Sequence, residues 1–171
     1  MRVVVLGWGN DARGDDALGV LLLRRLAETA PAGVETIEDY QLQVEHALDL
    51  EGFDAALFVD ASHGLSEPFA FREIAPSAAR TPNTHALSPE AVLDVYVRVQ
   101  GRAPPPAFVL ALRGEEFELG AGLSEAGAHA LEAATAFCET LMASRALDDW
   151  RRLAGEAQGR LWASSDTASG V

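Results

Sequence analysis

The residues of this chain best suited to chemistry sit at the ends of its apolar runs. After "VVVL" comes "GWGNDARGDD", a glycine-rich turn that closes on two adjacent carboxylates, Asp15 and Asp16. The run "ETIED" ends on Asp39 and the run "ALFVD" ends on Asp60. His85 lies in "PNTHALSPE", a polar loop leading to a helix, and His63 lies in "DASHG", close behind Asp60. A carboxylate at the end of a buried run is costly unless something pairs with it. Two or three carboxylates with one imidazole form an oxygen and nitrogen donor set suited to a metal ion. No local signature such as H-E-x-x-H is present, so distant segments would have to assemble the site.

Each of these residues also has a plainer reading. Asp15 or Asp16 can serve as an N-cap. Asp60 can be hydrogen-bonded within its own turn, and a loop histidine is ordinarily a surface residue. His46 and His129 fall in helical patterns and read as structural or exposed. Cys138 lies in a helical pattern, and no G-x-S-x-G is present, so no nucleophile stands out. Gly7, Gly9 and Ala12 satisfy the loose form of the dinucleotide fingerprint, G-x-G-x-x-A. That gives an alternative reading, a Rossmann-like module holding a nucleotide. Against it, a pyrophosphate needs a helix N-terminus free of negative charge, and Asp15 and Asp16 occupy that position.

The elements that must position these residues alternate between two periods. Strands are predicted at Arg2 to Leu6, Val34 to Glu38, Asp54 to Asp60, Phe69 to Ile74 and Phe108 to Leu112, the fourth of them at an edge. Helices are predicted from Asp16 to before Pro31, with Leu18, Leu22 and Leu26 on one stripe, and from Leu42 to Leu50. Another begins at Pro89 after a Ser88 cap and runs to about Gln100. The last begins after Ser124 and runs through Met142. Segments Ala75 to Pro82 and Gly101 to Pro106 read as connectors. Strands alternating with helices imply βαβ units, a mainly parallel sheet covered on both faces, and a site at the carboxyl ends of the strands. Asp16, Asp39 and Asp60 would share that rim.

Residues 1–147 read as one α/β domain, and 148–171 as a C-terminal extension, partly helical and then disordered over "SSDTASGV". Trp150, Leu153, Leu161 and Trp162 are the residues expected to pack that extension onto the body. The formal net charge of −13 argues against nucleic acid and anionic membranes as partners and favours neutral or cationic ligands. The single cysteine fits a reducing cytoplasm. No signal peptide and no membrane-spanning run are expected.

Together the motifs resemble the [NiFe]-hydrogenase maturation endopeptidases. "VVVLGWGNDARGDDALGV" is similar to their opening strand, Gly-x-Gly-Asn turn and acidic pair. "ALFVDASHG" resembles their second motif, "NTHALSPEAVL" the third, and "LALRGEEFELGAGLSEAGAHAL" their last strand, acidic turn and capped helix. The match covers about residues 1–143. It implies a three-layer αβα sandwich around a twisted, mostly parallel five-stranded sheet. It implies a metal bound by Asp16, Asp60 and His85, with Asp39 as the candidate for a further catalytic role. It also implies the activity: removal of the C-terminal extension of a hydrogenase large-subunit precursor once nickel is inserted. The nickel is then carried by the substrate rather than held permanently, and the enzyme works as a cytoplasmic monomer. Many members follow the aspartate of the second strand with Gly-Gly-Thr. Here Asp39 is followed by "YQLQVEHALDL", which resembles the subgroup serving soluble, NAD-reducing bidirectional hydrogenases. A hydrolase with its own tightly held metal is a further alternative.

Overall fold

Runs of β-branched and aliphatic residues form one sheet. Its strands are β1 (Val3–Trp8), β2 (Val34–Asp39), β3 (Ala55–Ser62), β4 (Phe69–Ile74) and β5 (Ala107–Arg113), in the order β2-β1-β3-β5-β4. The computed structural model describes residues 1–29, 31–78 and 87–166, with the side chains of the last helix described through Ala157. β1, β2, β3 and β5 are parallel, and β4 closes one edge antiparallel to β5. β1 and β3 are the most completely buried strands, as a parallel sheet covered on both faces demands.

The two-residue period of the strands divides the core. Val3, Val5, Leu57 and Val59 face α1 (Leu18–Thr29), α3 (Glu125–Ala143) and α4 (Leu147–Asp166). Val4, Leu6, Ala56 and Phe58 face α2 (Pro89–Gln100) and a 3-10 segment, Val44–Leu50. The result is the expected three-layer α/β arrangement with a mostly parallel five-stranded sheet. Leu18, Leu22 and Leu26 are all buried, so the predicted stripe is the face that α1 turns to the sheet. No helix among the described residues is long and apolar enough to cross a membrane.

Helix starts follow their capping residues. Ser88 accepts from the Ala91 N–H with Pro89 at the first helical position, and Ser124 accepts from the Gly127 N–H. Several boundaries differ from expectation, among them that of β1, which runs on past Leu6 to Trp8. Asp16 does not open the first α-helix: it lies in a 3-10 turn, Gly14–Ala17, and α1 begins at Leu18. The segment predicted as a helix from Leu42 is 3-10 from Val44, with only its inner residues in the core. β3 continues past Asp60 to Ser62 because its pairing with β5 extends to Ser62 opposite Arg113.

The C-terminal segment also differs. Ser164 to Asp166, predicted to be disordered, are helical residues of α4, and residues 167–171 lie outside the described residues. Trp150 is fully buried against Phe71 and Phe108, and its Nε1 donates to Leu141 O at 3.1 Å. Leu153 packs partly buried beside it, while the side chains of Leu161 and Trp162 lie outside the described ones.

Candidate active site

The sheet brings two of the expected acids into one row. Trp8 pairs with Asp39 across β1 and β2. Gly7 pairs with Val59 across β1 and β3, so the next residue, Asp60, is level with Trp8. Registered residues of parallel strands share a face. Asp39, Trp8 and Asp60 therefore stand on the α2 side of the sheet, two residues beyond Ile37, Leu6 and Phe58, which end the core on that side. Asp39 and Asp60 are two strands apart, roughly 10 Å, with Trp8 between them. A groove of about 670 Å³ opens here, lined by Trp8 and Asp60 from the sheet, Arg72 from β4, and Ser88 and Glu90 from the start of α2. Glu90 and Arg72 pair at 2.7 Å across it.

Asp16 reaches the same place from the turn after β1. Its Oδ2 accepts from the Asn10 N–H at 2.8 Å, which fixes the carboxylate over the end of the sheet. Its negative charge acts on Asp60. Burial pushes the Asp60 carboxyl up to about 7, the Asp16 charge adds to that rise, and hydrogen bonds from the Ala61 N–H and the Trp8 side chain oppose it without cancelling it. Asp60 thus sits where burial and the nearby charge of Asp16 both disfavour its ionised form. A cation placed between the two carboxylates would relieve both effects.

Asp15 does something else. It is fully buried and faces the loop between β5 and α3. Its Oδ2 accepts from the Glu115 N–H at 2.7 Å, the Glu116 N–H at 3.0 Å and the Ser124 hydroxyl at 2.6 Å, and its Oδ1 accepts from the Ser124 N–H at 2.8 Å. Burial alone would raise its pKa, but these hydrogen bonds outweigh burial and hold the carboxyl below its ordinary value. Of the adjacent pair, Asp15 is a structural hub and Asp16 is the one whose charge acts on Asp60. Gly9, at φ 143°, allows this, since a Cβ there would lie 1.8 Å from the Asp16 carbonyl oxygen.

The remaining candidates separate clearly. His63 stacks on Phe117 with ring centroids 4.0 Å apart. His129 is exposed on α3. Cys138 is buried, with its thiol pushed up to about 12 by burial, so it is no nucleophile at neutral pH. His85 lies outside the described residues. Among the described residues, no group of three His, Cys, Asp or Glu side chains is close enough together to hold a metal ion. The Asn10 N–H, which a phosphate at the glycine-rich turn would require, is taken by Asp16. Two residues of the site escaped the sequence reading. Trp8 hydrogen-bonds Asp60, and the alternation Val4, Leu6, Trp8 pointed it into the groove. His46 is buried beside Asp39, with Nε2 3.3 Å from Asp39 Oδ2, and no sequence signal set it apart from a core histidine.

No family model matches the chain. No curated protein matches it in sequence. Solved structures do. A [NiFe] hydrogenase maturation protease, HycI, from Thermococcus kodakarensis KOD1 superposes with a TM-score of 0.66 at 25% identity, covering 84% of this chain and 93% of that one. The hydrogenase maturating endopeptidase HybD from E. coli superposes with a TM-score of 0.63 at 23% identity, covering 81% and 90%. A hydrogenase 2 maturation peptidase from Thaumarchaeota archaeon SCGC_AB-539-E09 gives 0.59 at 20% identity, covering 82% and 98%. The chain has the fold of the hydrogenase maturation proteases over nearly their full length.

Proposed function

We propose that this protein is a peptidase that matures a [NiFe]-hydrogenase, removing the C-terminal extension of the large-subunit precursor after nickel insertion. The observation that carries this reading is a sheet with the maturation-protease fold whose carboxyl edge bears Asp60, its carboxyl raised by burial and by the charge of Asp16. A partly buried carboxylate raised by a neighbouring negative charge is a natural seat for a divalent cation. Asp16, Asp60 and His85 recognise the nickel, which arrives with the precursor. Nickel accepts imidazole and carboxylate together with thiolate. Binding it fixes the scissile peptide in the groove, so recognition becomes orientation.

With no activated nucleophile among the described residues, water attacks directly. Asp39 stands at the opposite end of the row from Asp60 and serves as the base. As the water oxygen bonds to the scissile carbonyl carbon, Asp39 takes one of the water protons. When the carbon–nitrogen bond breaks, that proton passes to the departing amine and Asp39 is ready again. The sequence after Asp39, "YQLQVEHALDL", favours the precursor of a soluble, NAD-reducing bidirectional hydrogenase as substrate. The enzyme works as a monomer in the cytoplasm.

The test is to incubate the purified protein with nickel-loaded and nickel-free large-subunit precursor and follow its mass. The expected result is trimming of the nickel-loaded form alone. Asp16→Ala, Asp60→Ala and His85→Ala should each stay folded and leave the precursor untrimmed. Normal trimming by all three variants would remove the nickel-recognition assignment. A stoichiometric metal retained through dialysis would instead indicate a hydrolase with its own metal.

A further inference from the structure

Asp15 and His46 are the buried polar side chains among the described residues. The loop before α3 satisfies Asp15; His46 is turned toward Asp39. The Gln43 backbone N–H donates to His46 Nδ1 at 2.9 Å. Nδ1 must therefore carry a lone pair, and the proton of the neutral ring sits on Nε2. Nε2 lies 3.3 Å from Asp39 Oδ2. The same oxygen accepts from Gln43 Nε2 at 3.2 Å, and Oδ1 accepts from the Tyr40 N–H at 2.6 Å. The 3-10 segment that carries His46 is itself pinned, because Ala47 and Leu50 are buried in the core beside α2.

This arrangement has a direction. Asp39 is half-exposed at the end of β2, in the row that contains Trp8 and Asp60. An aspartate at a strand end can rotate about its χ angles between several orientations. Here a backbone N–H and a side-chain amide hydrogen-bond it, an imidazole stands 3.3 Å away, and of the three groups the imidazole belongs to the buried side chain. An anchor of this kind fixes the rotamer of a carboxylate while leaving the rest of its surface free to meet a water molecule.

We propose that His46 is a positioning residue for the cleavage reaction: its Nε2–H holds the Asp39 carboxylate in the orientation that accepts a proton from the attacking water. The inference rests on the peptidase reading above and deepens it. His46 does not touch the substrate, so its effect should appear in the chemical step and only through Asp39. Asn and Gln at position 46 separate its two contacts. Asn places an acceptor near Nδ1, which keeps the bond from the Gln43 N–H, but does not reach Asp39. Gln reaches toward Asp39 with an N–H donor.

The experiment measures kcat and KM for trimming of nickel-loaded large-subunit precursor of a soluble bidirectional hydrogenase, with thermal unfolding of each variant alongside. His46→Ala and His46→Asn should lower kcat about 10- to 100-fold with KM within about twofold. His46→Asn should keep the wild-type unfolding midpoint, so a poorly folding His46→Ala variant does not blunt the test. His46→Gln should recover most of kcat. In an Asp39→Asn background, His46→Asn should cost nothing further, because a residue acting through another loses its effect when that partner is gone. Wild-type kcat in His46→Asn, a full additional loss in the Asp39→Asn background, or a loss confined to KM would each overturn the positioning role while leaving the peptidase reading intact. A wild-type protein that leaves nickel-loaded precursor untrimmed would overturn both.

Discussion

The two faces of the sheet are built to different ends. On one, α1, α3 and α4 cover the strands, and an aromatic group of Phe71, Phe108, Phe137 and Trp150 fills the space beneath them. On the other, α2 and a 3-10 segment are the covering elements among the described residues, and beyond Leu6 and Phe58 Trp8 and Asp60 line a groove, with Asp39 level with Trp8 on the next strand. The acids follow the same division. Asp15 is fully paired and contributes to stability, whereas Asp60, partly buried with too few partners to offset its lost hydration, works against it. A fold can carry the second kind of group because the first face supplies stability that the second does not.

The closed face should give the largest stability effect. Trp150→Ala removes a fully buried indole and its hydrogen bond to Leu141 O, and should cost about 3–5 kcal/mol in urea unfolding. A loss under 1 kcal/mol would mean that α4 contributes little to the common core.

The open face should show itself through pH. The Asp60 carboxyl is raised to about 7 when folded, from an ordinary value of 3.8. The native state therefore binds this proton more tightly than the unfolded state does. The associated stability is fully present below the ordinary value and is lost as pH rises toward 7. The loss is at most about 4 kcal/mol, from roughly 1.4 kcal/mol per unit. Asp60→Asn should abolish that decline, so the variant gains on the wild type between pH 4 and 7 while losing activity. Equal pH slopes in the two proteins would show that Asp60 is not strained.

A smaller effect comes from the Asp15 hub. Alanine is ordinarily the better helix former, yet a Cβ at position 127 would lie 2.1 Å from Asp15 Oδ1. Gly127→Ala should therefore destabilise by about 1–3 kcal/mol. A stabilised variant would show that Asp15 can move freely, and the contrast between the two aspartates would weaken.

Much of this architecture could be read directly from the chain. Ser88-Pro89 and Ser124 marked helix starts because capping is a local matter of one side chain and the next few amides. The β4 bounds agreed with its alternation, and the apolar runs of β1 and β3 announced a parallel sheet buried on both faces. Local signals failed where tertiary contacts chose between equivalent local outcomes. The stretch from Leu42 to Leu50 has a helical pattern, but its inner residues meet α2 in a 3-10 geometry. Trp150 packs onto the body as its segment suggested, but nothing in that segment names its partners Phe71 and Phe108, both more than 40 residues earlier in the sequence.

The sequence by itself determined the order of strands and helices, the acidic character of the chain and the delivery of acids to the carboxyl edge of the sheet. These depend on periodicity and charge, which neighbouring residues carry. Only the tertiary structure decided that Asp15 is claimed by the loop before α3 while Asp16 accepts from the Asn10 N–H and acts on Asp60, and that His46 stands behind Asp39. Adjacent side chains in a turn diverge, and which one faces the groove is fixed by the distant amides and hydroxyl that claim the other.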